Sequence, residues 1–304
     1  MKIFVTGGAG FIGSHLTTSL LKSGHTVTIY DSLVNSSEDS AKKLQNLGTN
    51  FICGDITDSK HLSSTLTDFD ICIHLAAQTD VLHSIKDPLH NNLVNISGTR
   101  NVLNACVKNH VNVIAASSAS IYEESSKSLS ETSSVRPQSP YGESKLAMEQ
   151  ILGDFSKSHG INCLNLRIFN VYGKGQNIKY AGVITKFLEN IKNETNLSIF
   201  GDGSSIRDFV SVYDVVDAIT LAMQKIEGKN GDIINIASGK GTKIIELAEM
   251  MISISGKKSI SIEYEPQNPG EIINSQADIS LATKTLSYLP KIPLKKGLEQ
   301  LINQ

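Results

Sequence analysis

No strong charge of either sign marks this sequence: 28 Lys and Arg stand against 30 Asp and Glu, a formal net charge of -2 in 304 residues with a pI of about 6.4. A chain so balanced has no general attraction for nucleic acid or for anionic membranes, so neither is expected as a partner and the ligand must be read from local sites. Cysteine is sparse. Cys53, Cys72, Cys106 and Cys163 are widely spaced with no C-x-x-C, and three of them lie in apolar, strand-like runs, "NFICGD", "DICIHLAA" and "INCLNLRIF". They read as small core residues in a reducing compartment, and neither disulfides nor a metal site is expected. No run approaches the ~18 apolar residues of a membrane span. The chain opens directly on a strand at Lys2 without a signal-peptide pattern, which makes the expected location cytoplasmic. Repeats and long linkers are absent.

What is present is ample apolar content, 40%, arranged in short runs that alternate with amphipathic stretches. "KIFVTG", "TVTIYD", "NFICGD", "ICIHLAA", "VNVIAASS" and "NCLNLRIFN" read as strands with helices between them. Near-continuous apolar strands separated by helices predict a parallel sheet covered on both faces, an α/β doubly wound fold. Beyond about residue 173 the alternation loosens into glycine-rich loops, the helix "VSVYDVVDAITLAMQ", the strand "DIINIAS", the helix "KIIELAEMMISIS" and the strand "SISIEYE". We expect two units: residues 1–173 with a returning segment near 208–236, and a smaller α/β cap over 174–304. The serine-rich stretch 123–137, "EESSKSLSETSSVRP", reads as a loop mobile before ligand binds.

The first strand runs into "TGGAGFIGSHL", placing Gly7, Gly10 and Gly13 at a strand-to-helix junction. Glycines there allow a sharp turn, close approach of a pyrophosphate and tight helix-on-strand packing, and the helix N-terminus adds unpaired N–H groups and positive dipole. Asp31, ending the second strand, can accept from a ribose 2′-OH and would repel a 2′-phosphate. No Arg or Lys lies between Asp31 and Lys42, so NAD is favoured over NADP. Later, "SPYGESK" sets Tyr141 and Lys145 at i and i+4, on one face of a helix. A cation beside the phenol would pull its pKa toward the range of efficient proton transfer.

Together, "TGGAGFIG", "GDITD", "HLAAQTDVLHSIKDP", "SSASIY", "PYGESK", "LRIFNVYG", "GDGSSIRDFVSVYDVVDA" and "NPGEIINSQADIS" resemble the motifs of the extended short-chain dehydrogenase/reductase superfamily, in particular its NAD-dependent nucleotide-sugar 4-epimerases. The resemblance runs in order along nearly the whole chain and implies a Rossmann sheet with a substrate-binding cap. It assigns the pyrophosphate to Gly7, Gly10, Phe11, Ile12 and Gly13, the adenosine ribose to Asp31, the adenine to Asp55 and Ile56, the middle of the cofactor to Ala76, Ala77 and Gln78, and a buried polar contact near it to Asn95. Tyr141 would take the proton of the sugar C4–OH while C4 passes hydride to the nicotinamide. Lys145 would lower the tyrosine pKa and hold the nicotinamide ribose, and Ser118 would hydrogen-bond O4. Arg207 and Asn170 would hold the substrate diphosphate, Ser84 and Tyr172 would line the sugar pocket, and Glu271 would hold the uridine ribose.

Several positions refine this. Related dehydratases carry an Asp-Glu pair after the catalytic Thr and decarboxylases a Glu, whereas Ala119 and Ser120 follow Ser118 here; without that acid a 4-keto sugar can only take its hydride back, which after rotation gives the C4 epimer. Asn268 stands where the family usually has a phosphate-gripping Arg, so either another cation substitutes, Lys174 and Lys179 being the nearest, or nucleotide affinity is lower; Glu123 replaces the usual glycine after Tyr122. Ser275 falls where a bulky tyrosine would exclude a 2-acetamido group, so UDP-glucose, UDP-galactose and their N-acetyl counterparts are all expected substrates. The alternatives are another nucleotide-sugar epimerase or a 4-ketoreductase, and, from another class, a non-catalytic dinucleotide sensor. The resemblance further implies a homodimer through the helix near 88–109 and the one that carries Tyr141.

Overall fold

The six apolar runs of the first half become strands β1 (Lys2–Thr6), β2 (Thr26–Asp31), β3 (Asn50–Cys53), β4 (Ile71–His74), β5 (Asn112–Ser118) and β6 (Cys163–Ile168) in the computed structural model, which describes residues 1–176, 182–266 and 274–303. Between them run α1 (Phe11–Lys22), α2 (Glu38–Asn46), α3 (Ser59–Thr65), α4 (Val81–Lys86), α5 (Pro88–Asn92), α6 (Thr99–Lys108) and α7 (Pro140–His159). The rest of the chain adds β7 (Asn170–Tyr172), α8 (Val183–Lys192), β8 (Leu197–Phe200), β9 (Ile206–Ser211), α9 (Val212–Gln224), β10 (Asn230–Ile236), β11 (Gly241–Lys243), α10 (Ile244–Ser255), β12 (Ile262–Glu265), β13 (Asn274–Ser275), α11 (Ser280–Leu286) and α12 (Leu294–Ile302).

The main sheet has the order β10-β6-β5-β4-β1-β2-β3 with every pairing parallel. This is the doubly wound parallel sheet expected from the apolar runs. Because the chain winds outward through β2 and β3 and then returns to start again at β4, the order reverses between β1 and β4, and a crevice opens at the C-terminal ends of those strands. Alternate residues feed opposite faces: Ile3 and Val5 pack with α1 and α9, and Phe4 with Cys72, Leu103 and Leu152 under α6 and α7. Beside this sheet, β9 pairs in parallel with β7 and β13 and antiparallel with β11, and β12 pairs with β8. Tyr172, Phe187, Leu247, Met251 and Leu298 form the core there.

One expectation changes. Cys53 is exposed, because it ends the edge strand β3, whereas Cys72, Cys106 and Cys163 are buried as expected. The serine-rich stretch is anchored at Leu129. Leu129 is 2% exposed, its N–H donates to the Gln276 carbonyl at 2.8 Å and its own carbonyl accepts from Asp278 N–H at 2.9 Å. An isolated bridge to Ala277 adds to this anchor. Among the described residues no helix is long and apolar enough to cross a membrane.

Candidate active site

β1 delivers the glycine loop to the crevice. Gly7 adopts φ +69°, which its lack of a Cβ permits, and its N–H donates to the Tyr30 carbonyl at 2.9 Å. α1 begins at Phe11 behind Gly10, with no side-chain cap, so its first-turn N–H groups face the crevice unclaimed by a cap. A Cβ on Gly13 would lie 2.7 Å from Gly8 Cα; only glycine lets helix and loop touch. Asp31 braces this loop from β2. One carboxylate oxygen accepts from Ala9 N–H at 3.0 Å, the other from Leu33 N–H and Ser36 Oγ.

Asp55 accepts from both the N–H and the hydroxyl of Thr57 at 2.8 Å, forming the turn that carries buried Ile56. Ala76, Ala77 and Gln78 continue from β4, where Ala76 N–H donates to Thr6 Oγ1 at 3.2 Å. A π-helical turn, Leu93–Gly98, projects Asn95 inward. Asn95 brackets the Gln78 backbone, accepting from its N–H at 2.8 Å and donating to its carbonyl at 2.9 Å. The buried Gln78 Oε1 finds no partner among the described residues. A glycine cradle with free amides, a carboxylate at the end of β2 and an unclaimed buried acceptor past β4 fit an extended dinucleotide lying across the crevice. His74, which sequence reading passed over, underlies it: its ring bonds Thr6 and Thr99 at 2.7 and 2.9 Å, and burial first, with Lys145 nearby, pushes its pKa down to about 3, so it is neutral.

Ser118, Tyr141 and Lys145, the residues expected to react, meet one strand further. Ser118 ends β5, and α7 starts behind it with Ser139 as N-cap and Pro140 in the first turn. Ser84, expected in the sugar pocket, is fully buried. Its hydroxyl donates to the Val81 carbonyl at 2.7 Å and accepts from Tyr141 N–H at 3.1 Å, so the structure places it as a brace for the Tyr141 backbone. Lys145 Nζ donates to the Ala116 carbonyl at 2.8 Å and lies 5.9 Å from the Tyr141 ring centroid. Burial brings Lys145 down to about 8 against the opposing pull of Glu149. Tyr141 goes the other way: burial raises its pKa, and the Ser118 hydroxyl beside it only partly offsets this. The expected lowering by Lys145 is therefore not what the protein alone shows, because the ammonium is turned toward Ala116 and the cost of burying a phenolate is the stronger influence.

Asn170, Tyr172 and Arg207 come together in a cavity of about 500 Å³ between β7, α8 and β9, with Lys186, Phe200 and Glu189 also in its wall. Tyr172 presents its ring, since its hydroxyl end is packed against Gly297. Ser275 of β13 sits in register beside Arg207 of β9 and is 7% exposed. Glu271, Asn268 and Lys179 lie outside the described residues. Lys174 is not in the cavity wall; its carbonyl meets His15 Nε2 at 2.8 Å. Lys186, unremarked in the sequence, is the second basic side chain of the wall, and its place on the helix after Gly182 was the only available signal.

The family model described as "NAD dependent epimerase/dehydratase family" matches residues 3–237. A protein described as a putative UDP-glucose 4-epimerase from Methanocaldococcus jannaschii is 35% identical over 307 residues, covering 99% of this chain and 97% of its own. Among solved structures, UDP-glucose 4-epimerase from Thermotoga maritima with UDP-glucose is 34% identical, superposes with a TM-score of 0.93 and covers 100% of this chain and 98% of its own. UDP-N-acetylglucosamine 4-epimerase from Methanobrevibacter ruminantium, in complex with UDP-N-acetylmuramic acid, is 32% identical with a TM-score of 0.92, covering 99% of this chain and 97% of its own.

Proposed function

The chain belongs to the NAD-dependent epimerase/dehydratase family, and we propose that it catalyses C4 epimerisation of a UDP-hexose, interconverting UDP-glucose with UDP-galactose and also the N-acetyl pair. The observation that carries this reading is the convergence of Ser118, Tyr141 and Lys145 beside the dinucleotide crevice with only Ala119 and Ser120 following Ser118. NAD, when bound, supplies reversible hydride acceptance at the sugar C4. The chain's own residues do the rest. Tyr141 takes and returns the O4 proton, Ser118 hydrogen-bonds that oxygen, and Lys145 supplies the cation that favours the phenolate. Arg207 and Lys186 offer two positive charges to a diphosphate, Asn170 adds an amide, and Phe200 gives an apolar face to a base. No acid follows Ser118 at positions 119 and 120 to expel a C6 hydroxyl, so the 4-keto sugar has one exit, return of hydride.

In this reading residues 1–173 with the 208–236 segment carry NAD, and 174–304 carry the nucleotide sugar. A homodimer accords with the apolar stripe of Leu82, Ile85, Leu89 and Leu93, each at least half exposed beside α7. Three buried free thiols accord with a reducing, cytoplasmic setting.

The test is incubation with NAD and, separately, UDP-glucose, UDP-galactose, UDP-GlcNAc and UDP-GalNAc, with products resolved by chromatography and NADH followed by absorbance. C4 epimers without NADH build-up are expected. Lasting NADH accumulation, or no conversion of any of the four, overturns the reading. Ser275→Tyr is expected to depress kcat/KM for the acetamido pair by about 10-fold or more relative to the plain pair, because a bulky ring would fill the space the acetamido group needs. Equal loss on both pairs would count against the pocket-size argument.

A further inference from the structure

Between Ser118 and Tyr141 the chain runs out along the serine-rich segment and back, so the placement of both reacting side chains depends on how that excursion is held. A buried ion pair lies at its root. Glu149, one turn beyond Lys145 on α7, is 4% exposed, and Arg167, the next-to-last residue of β6, is 3% exposed. Arg167 Nε donates to Glu149 Oε1 at 2.9 Å and Nη2 to Oε2 at 2.8 Å, a two-pronged match that fixes direction as well as distance. Ser117 Oγ donates to the same carboxylate at 2.5 Å. With Lys145 bonded to the Ala116 carbonyl, α7 thus grips consecutive residues of β5 immediately before Ser118.

The other side of the guanidinium faces the segment. Nη1 donates to Tyr122 Oη at 2.9 Å and to the Glu131 carbonyl at 3.2 Å, and the Arg167 Cζ lies 4.8 Å from the Tyr122 ring centroid. Tyr122 donates in turn to Asn235 Oδ1 at 2.6 Å, and Asn235 donates through its N–H to the Glu131 carboxylate at 2.7 Å and through Nδ2 to the Leu129 carbonyl at 2.9 Å. Stability alone does not call for such a pair, since apolar residues of similar volume avoid its desolvation cost. What apolar packing cannot supply is direction.

We propose that Glu149 and Arg167 are positioning residues, which register the end of β5 on α7 and fasten the 123–137 segment, and so set the geometry of Ser118, Tyr141 and Lys145. The kinetic consequences rest on the epimerase reading; the fastening does not. The groups facing Lys145 are Tyr141 and Glu149 from its own helix and neutral His74 from β4, with Arg167 of β6 behind Glu149. Removing the anion or the cation of the pair therefore moves Lys145 in opposite directions.

The experiment compares full-length Glu149→Gln and Arg167→Met with the parent by hydrogen exchange and by steady-state kinetics across pH. In Arg167→Met the hydrogen-bonded amides of the segment, such as Glu123 and Leu129, are expected to exchange at least about tenfold faster while those of β1 keep their protection. In both variants kcat is expected to fall at least about tenfold with KM within about threefold. The upper limb of the kcat profile should move to lower pH in Glu149→Gln and to higher pH in Arg167→Met. Should either variant fail to fold, Glu149→Leu/Arg167→Met, which buries no lone charge, is expected to fold yet keep the rapid exchange and the low kcat. Unchanged exchange in a folded variant, or pH limbs that move together or not at all, overturns the proposal. A parent that does not epimerise would strike the epimerase reading, and the exchange result would still decide the fastening.

Discussion

Replacing Tyr141 by Phe is expected to lower kcat for C4 epimerisation on the order of 10³-fold while NAD binding and the fold stay intact. The substitution removes one oxygen and leaves what places the residue: the Tyr141 N–H still reaches Ser84 Oγ, and the ring still lies over Lys145. What it removes is the phenol beside Ser118 and Lys145, the group proposed to take and return the O4 proton. Burial holds that phenol above its ordinary pKa, so its work depends on a charged Lys145 nearby. Lys145 carries its proton below about 8 and loses it above, so parent kcat should decline as pH rises through that value; the residual activity of Tyr141→Phe should lack that alkaline limb, since no phenolate remains to be supported. Steady-state rates from acid to alkaline pH with a confirmed UDP-hexose, alongside NAD titration, check both points. A variant that keeps kcat within about threefold, or that no longer binds NAD, would contradict the assignment.

The parts of this site written in short-range pattern were legible without coordinates. Apolar runs of strand length with helices between them set the parallel sheet, and three glycines after the first run located the cradle, because both depend on neighbours in sequence. Contacts across the sheet were not legible. Nothing local to Ser84 says that its hydroxyl meets the Tyr141 backbone, and nothing in the serine-rich stretch says that Asn235 and Gln276 will hold it. Cys53 read as buried because its run is apolar, but β3 is the edge of the sheet, a fact settled only by strand order. Arg167 did leave a signal: a charged residue inside "CLNLRIF", a run otherwise fit for a central strand, asks for a buried partner. Glu149 left a fainter one, a carboxylate one turn past Lys145.

Gly13→Ala should weaken NAD binding by about 100-fold or more, through space and not through backbone conformation. Gly13 is an ordinary helical residue, so its φ is open to alanine. The added Cβ, however, would lie 2.7 Å from Gly8 Cα and closer still to the Gly7 carbonyl oxygen. Both are backbone atoms, and neither can swing aside as a side-chain tip would; the loop or α1 must move. Gly8 has little room to retreat, since its own position lies against Ile29 of β2, so the loop is displaced toward the crevice where its amides would otherwise meet the pyrophosphate. Overpacking of this kind costs about 1–3 kcal/mol, and the cofactor loses the amide geometry in addition. Gly153 supplies the control: it lies inside α7 with nothing within 4 Å of a built Cβ, so Gly153→Ala should leave NAD affinity unchanged and raise stability by up to about 1 kcal/mol. Calorimetric titration with NAD and thermal melts of both variants separate the two effects. If Gly13→Ala binds NAD within about threefold of the parent, the glycine cradle is not what holds the dinucleotide, and the crevice between β1 and β4 would have to grip it chiefly through Asp31 and the residues past β4.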